Sequence, residues 1–484
     1  MSARRKNQAT LALVLSAALL ATSLLSGCKS LTADGGMAFV GSVADSELRK
    51  DVVAVRTAGQ AEEVAARVAA LLRKPLTADA AVQIALFNNR GLQAAFNALG
   101  IAEAEMVQAH LPPSPTVSLE RLSSPLELEI ERRIVGNILA LVTLPARASI
   151  AVDRFEQAKL QAAGETLRIA AEARRNFYSA VASRQTAAFL DQSKSAAETA
   201  TKLARRLGET GAMNKIGQSR EYVFYAEITG QLGTARARMA SERERLIRTL
   251  GLWGDDLKFV LPGFLPNLPR KPVTSPEIEI AAVERRLDLQ AARIEVTALS
   301  KTYGLTQASR FVNLAELSGI RKSTSDRQTG ERERSHGYEA EIQIPIFDLG
   351  ETKVRMAEHT YMQAVNRLAE KAVNVRSEAR DAYRTYRSAY DIARHYRDEV
   401  VPLRKIISDE TMLRYNAMLI DVFALLTEAR QQINSNMQAI EAQRDFWLAS
   451  VDLGVAVTGG GASGMRGGAM ASAAAPSGGE AAGH

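Results

Sequence analysis

Two stretches of this chain place carboxylates at every second position. Glu127, Glu129 and Glu131 alternate with Leu126, Leu128 and Ile130, and Glu339, Glu341 and Gln343 alternate with Tyr338, Ala340, Ile342 and Ile344. On an extended strand that period puts the carboxylates on one face and the apolar side chains on the other. Acids arrayed in this way do electrostatics: facing a water-filled lumen, they attract cations and raise their local concentration. The same five glutamates would also serve, without any selectivity, to keep the mouth of a pore hydrated. Other chemistry is poorly served. The chain has one cysteine, Cys28, which excludes a disulfide framework and a cysteine-based zinc site. His110, His336, His359, His395 and His484 are scattered without ligand spacing, and low complexity explains Met465 and Met470 near His484 better than weak copper binding. A Walker loop, a His-Glu-x-x-His motif and a paired acid/base signature are all missing, so the reading is of no enzyme, no cofactor and no resident metal.

The elements that carry these residues are mostly helical. Of 484 residues 46% are hydrophobic but only 5% aromatic, and roughly one in six is Ala, the strongest helix former. After a polar segment with one expected helix near 62–72, a helix is expected over 77–110, opened by a capping Thr77 and stopped at Pro112-Pro113. Extended segments at 116–123 and 126–144 lead to a long helix at 146–207 and a shorter one at 215–250. Residues 261–276 hold five prolines and read as a linker. The same order then recurs: a helix at 277–309, extended segments at 311–321 and 338–347 around a polar loop at 323–336, a long helix at 351–413 and a shorter one at 422–451. Leu92-Gln93-Ala94-Ala95 returns as Leu289-Gln290-Ala291-Ala292, and Leu144-Pro145 aligns with Ile344-Pro345, so the chain is an internal duplication. From Tyr361 through Val375, Ala379, Tyr386 and Ala393 to Ile407, apolar residues are spaced alternately by four and three, a heptad seam for helices packed side by side. Some 60 residues of helix make a rod of about 90 Å, too long for one globular core. Pro402 should bend it. Tyr383, Tyr386 and Tyr390 form a stripe whose expected role is packing.

The first residues read as an export signal: Arg4-Arg5-Lys6, an apolar run from Leu11 to Leu25, then Leu25-Ser26-Gly27-Cys28. That last tetrapeptide resembles a lipobox, which implies removal of 1–27 and a diacylglycerol on Cys28, with 28–75 as a lipidated tether. Without its three signal cations the net charge falls from +7 to +4, too mild to argue for nucleic acid. In an exported chain the alternating strands look like those of an outer-membrane barrel. Four strands cannot close one, since small barrels need about eight, so several copies must share it; three copies would supply about twelve strands.

With these features the chain resembles the TolC-like outer-membrane efflux channels, in particular the lipoprotein branch paired with resistance-nodulation-division pumps. The resemblance runs from Leu76 to Leu453. It is carried by Leu76-Thr77, Asn88-Asn89, Leu92-Gln93-Ala94, Ile344-Pro345-Ile346-Phe347-Asp348-Leu349-Gly350 and Arg414-Tyr415. It implies a mainly α fold with a small β part: a homotrimer whose twelve-stranded outer-membrane barrel continues into a periplasmic helical barrel. Repeats would span 76–260 and 277–457, with a disordered Gly/Ala tail at 458–484. The implied partners are a periplasmic adaptor, an inner-membrane pump and outer-membrane lipid. The turns at 207–214 and 415–421 would be the tips that meet the adaptor, through Gly208, Gly211, Met213, Ala417, Met418 and Leu419. The family's tip glycine is Gly211 in the first half and is replaced by Ala417 or Met418 in the second. Asp421 would belong to a periplasmic gate or cap the helix behind it. Similarity to heavy-metal channels around 414–420 leans the cargo toward metal ions such as copper. The same channel could serve drug efflux or type I secretion, and a periplasmic coiled-coil adaptor or structural lipoprotein is the competing class.

Overall fold

The computed structural model describes residues 31–274 and 277–459. The expected signal peptide, Cys28 and nearly all of the tail lie outside the described residues. The chain is helical apart from one small antiparallel sheet. The segment ahead of the first repeat carries two helices, α1 (Met37–Leu48) and α2 (Ala58–Leu72). Only the second was legible, because Thr57 and Gln60 close a capping box around its first turn.

The expected helix over 77–110 is two helices, α3 (Ala78–Asn88) and α4 (Arg90–His110), separated by Asn89 at φ −67°, ψ 116°. The expected helix over 277–309 breaks likewise into α8 (Ile278–Arg285) and α9 (Leu287–Ala308), at Arg286 with φ −63°, ψ 116°. Both breaks lie three residues before the repeated Leu-Gln-Ala-Ala, so the duplication extends to backbone dihedrals. A one-residue interruption leaves the helical apolar spacing intact on either side, which is why periodicity ran through it.

Between these helices lie β1 (Thr116–Ser123), β2 (Glu127–Asn137), a short helix α5 (Ile138–Val142), α6 (Leu144–Glu209) and α7 (Lys215–Leu250). The second extended segment therefore ends at Asn137 and not at 144: the Asn137 side chain accepts the Ala140 N–H at 2.7 Å and starts α5. In the second half, β3 (Leu314–Asp326) and β4 (Arg332–Gln343) absorb most of the expected polar loop, leaving a five-residue turn that Asp326 ties by accepting the N–H groups of Gln328 and Thr329. Ser, Thr and charged residues here sit on a strand whose two faces are both wet, so no apolar alternation marked it. The long second-half rod runs as α10 (Glu351–His395), a π-turn (Tyr396–Val400) and α11 (Val401–Asn416), before α12 (Val422–Thr458). Pro402 stands at the start of α11, and the π-turn just before it loosens the hydrogen-bond ladder where the proline ring would otherwise clash.

Two compact units emerge, and neither follows chain order: each takes segments from both repeats. One holds residues 31–38, 97–160 and 290–370 among its described residues, including the whole sheet; β2 of the first half pairs with β3 of the second, in the order β1-β2-β3-β4. The other holds 39–96, 161–289 and 371–459 among its described residues. Its core gathers Val375, Ala379, Tyr386, Tyr390 and Ala393 of the seam against Phe446 and Leu453 of α12. Further along the seam, Leu403 and Ile407 are exposed on the single chain. Tyr386 and Tyr390 are packing residues whose hydroxyls also hold the proline-rich segment: Tyr390 Oη donates toward the Pro269 and Arg270 carbonyls, and Tyr386 Oη accepts from Val273 N–H. Trp447 Nε1 donates to Pro266 O at 3.0 Å, and Leu261, Leu265 and Leu268 are buried. The segment read as a linker is a strap bound along the helices. Prolines bring few N–H groups to satisfy, and their carbonyls take side-chain donors.

Candidate functional site

Two surfaces hold the residues singled out above. The first is the pair of helix–helix turns. In the α6–α7 turn Gly211 adopts φ +76°, and Asn214 caps α7 by accepting Gly217 N–H at 2.8 Å. In the α11–α12 turn Met418 adopts φ +58°, and Asp421 caps α12 by accepting Ala424 N–H at 2.9 Å. In both, the residue with positive φ donates its N–H to the carbonyl three residues back (Gly208, Tyr415) and precedes the cap by three. Gly211 and Met418 therefore correspond, which settles the one-residue alignment ambiguity against Ala417. A left-handed conformation at Met418 is strained for an L-residue. Its side chain is 92% exposed and the neighbouring Leu419 74%.

The other tip residues behave differently. Met213 is buried under its own turn, so the single chain does not offer it as a contact. Gly208 is a packing residue: a Cβ there would meet the Gln218 side chain at 2.0 Å. Gly217, not singled out in the sequence, brings the tips together, since a Cβ there would meet the Phe423 ring at 2.6 Å. Arg220 stacks over that ring at 5.6 Å. A lone glycine inside a helical stretch was the available signal. One turn further in, Glu221 of α7 is 2% exposed, with one carboxyl oxygen left without a hydrogen-bond partner. Burial pushes its carboxyl up, opposed by the Arg430 guanidinium.

The second surface is the sheet. Register places Glu127, Glu129, Glu131, Glu339 and Glu341 on one face, as the alternation requires. Pairing adds Glu120, Glu316, Asp326 and Glu333 to that face, four acids that strand periodicity alone did not collect. It also adds two bases. Lys322 meets Glu129 at 2.5 Å, and Arg133 bridges Glu131 at 3.4 Å and Glu339 at 3.2 Å. Among the described residues Glu127 and Glu341 make no ion pair, so the face is acidic but partly neutralised. Both outer strands, β1 and β4, are exposed at every residue.

The junction from β4 to α10 is built on Phe347-Asp348-Leu349-Gly350. Leu349 and Gly350 both have positive φ, at 50° and 73°, and Asp348 Oδ1 accepts Gly350 N–H at 3.0 Å. A Cβ on Gly350 would lie 2.1 Å from Arg310 O. This is the physical content of a motif that the sequence supplied only as a resemblance.

Residues 281–453 match the family model described as outer membrane efflux protein. Outer membrane efflux family members are passive channels, not enzymes. The cobalt-zinc-cadmium resistance protein CzcC of Cupriavidus metallidurans is 25% identical over 285 residues, covering 57% of this chain and 64% of that protein. The match thus spans just under two thirds of the length of that relative. Among solved structures, CusC superposes with a TM-score of 0.65 at 14% identity, over 78% of this chain and 91% of its own. A membrane protein from Pseudomonas aeruginosa gives 0.66 at 17%, over 78% and 92%. The Campylobacter jejuni outer membrane channel CmeC gives 0.64 at 15%, over 79% and 85%. These likenesses show an outer membrane efflux fold across most of the chain. Among the described residues no helix is long and apolar enough to cross a membrane.

Proposed function

We propose that this chain is the outer-membrane channel of a tripartite efflux system. It is a passive duct for cargo that an inner-membrane pump delivers through a periplasmic adaptor. The observation that carries this reading is the sheet: four strands, both edges open, carboxylates on one face, and on the other apolar side chains with arginines confined to the hairpin end. Alone, such a sheet leaves a row of backbone groups unpaired on each edge. Copies joined edge to edge satisfy them, and three copies supply the twelve strands of a barrel whose acidic face lines a water-filled lumen. Strained, exposed Met418 with Leu419 supports the tip as the adaptor contact. Cys28 anchors the protein by its lipid to the outer membrane.

We infer metal cations as cargo, copper first. The CzcC relative is named for cobalt, zinc and cadmium resistance, and an acidic lumen face favours the passage of cations. Deletion of the gene followed by growth against copper, silver, zinc, cobalt, cadmium and a panel of drugs tests the cargo; sensitivity to drugs alone overturns the metal reading. Extraction tests the channel: it should need detergent and yield a trimer, whereas a chain that leaves the envelope without detergent is an adaptor. Replacing Cys28 with Ser should abolish palmitate labelling of the protein.

A further inference from the structure

The face of the sheet opposite the carboxylates has its own order. Toward the two hairpin turns it carries Arg121, Arg132, Arg321, Arg332 and Arg334, interleaved with Leu119, Leu128 and Ile130; toward the helices it carries Val117, Ile134, Leu317, Tyr338 and Ile342 and no charge. Rows on one face repeat about every 7 Å along the strands, so the three rows that hold arginines cover about 14 Å, and the rows beyond them carry no charge. Arg132 stands directly across from Arg321, whose other neighbour is His336. Like charges placed directly opposite on a sheet repel, and nothing on this face relieves them: register puts no Asp or Glu on it. The two bases of the acidic face, Arg133 and Lys322, are both ion-paired, whereas among the described residues none of these five arginines makes an ion pair or a side-chain hydrogen bond. All five are exposed. A second copy joined at the strand edge presents the same face with the same residues, so it brings no carboxylate either. The compensating anion must come from outside the protein, at the end of the sheet where the arginines stand among Leu119, Leu128 and Ile130.

We propose that this arginine belt binds phosphate-bearing lipid headgroups in the leaflet on the hairpin side of the membrane. The guanidinium forks grip phosphate oxygens, while the apolar rows lie against the acyl chains. The proposal rests on the outer-membrane reading above.

The test uses the full-length protein purified in a neutral detergent and titrated with lipid A, with dephosphorylated lipid A and with inorganic phosphate, bound lipid being counted by native mass spectrometry. Wild type should retain lipid A and not its dephosphorylated form. Affinity should fall roughly fivefold for each arginine removed, or about 25-fold in R132Q/R321Q. R132K/R321K should keep most of it. R332Q/R334Q, beside the turn, repeats the measurement where the first variant fails to fold. Equal binding by wild type and both glutamine variants, or equal binding of the two lipid forms, overturns the proposal, and so does saturation by inorganic phosphate at the same concentration. The mass in the same spectra separates the two readings. A detergent-requiring trimer that ignores the lipid phosphates overturns the belt alone, and a detergent-free monomer overturns both.

Discussion

Replacing Met418 with Gly separates two costs that the α11–α12 turn carries together. The backbone at this position has φ +58°, which costs an L-residue about 1–2 kcal/mol, and glycine removes that cost while losing about 0.5–1 kcal/mol to its own chain entropy. The two nearly cancel, so the purified variant should melt within about 2 °C of wild type. Docking is another matter. The Met418 side chain is 92% exposed, and covering it on a partner contributes about 1.5–3 kcal/mol, or roughly 10- to 150-fold in Kd. Calorimetric titration of the cognate adaptor against wild type, Met418→Gly and Met418→Leu measures this. The leucine variant keeps the strain and the apolar surface and should bind like wild type. Adaptor binding by the glycine variant at wild-type affinity would refute the reasoning. A glycine variant that melts far below wild type would refute the strain assignment instead.

Three further outcomes follow from the packing. Gly350→Ala should cost about 3 kcal/mol or more and deplete the folded protein, because its Cβ would lie 2.1 Å from Arg310 O at a backbone φ of +73°; a wild-type midpoint in denaturant unfolding would contradict this. Arg286→Met should lower stability by about 3–5 kcal/mol in denaturant unfolding, because the guanidinium between α8 and α9 is buried while holding Asp288 at 2.9 Å and Glu378 at 2.5 Å. Glu221→Gln should stabilise the protein at neutral pH. Burial raises this carboxyl, so its ionised form is penalised in the folded state above the raised value, and the penalty vanishes as pH falls below the ordinary carboxylate range. The melting-temperature gain should therefore shrink between pH 7 and pH 4, and a gain that grows on acidification would contradict the sign.

Much of this architecture was legible in the chain. Alternating glutamates named the acidic face because the strand period of two is independent of neighbours. The heptad seam named Val375, Ala379, Tyr386 and Ala393 as core, and the four-residue repeat pointed to a duplication that reappears in the dihedrals of Asn89 and Arg286. What escaped was written in no local period. The two wet faces of β3 hid a strand inside an expected loop, and the proline-rich strap looked loose because its partners, Tyr390 and Trp447, lie far away in sequence. Gly217 and Glu221 became meaningful only against Phe423 and Arg430 of another helix.

By itself, then, the sequence determined most element types, the order of the two repeats, the carboxylate face and the positions of the two helix–helix turns, all of which depend on near neighbours in the chain. The tertiary structure alone decided which strands pair, and so which cations meet which carboxylates. It moved Arg133 and Lys322 among the acids and left five arginines together on the far face without one. It also decided that Met418, and not Ala417, carries the left-handed turn. The reason is physical: strand register is set by hydrogen bonds between segments up to about 200 residues apart, and no local propensity encodes it.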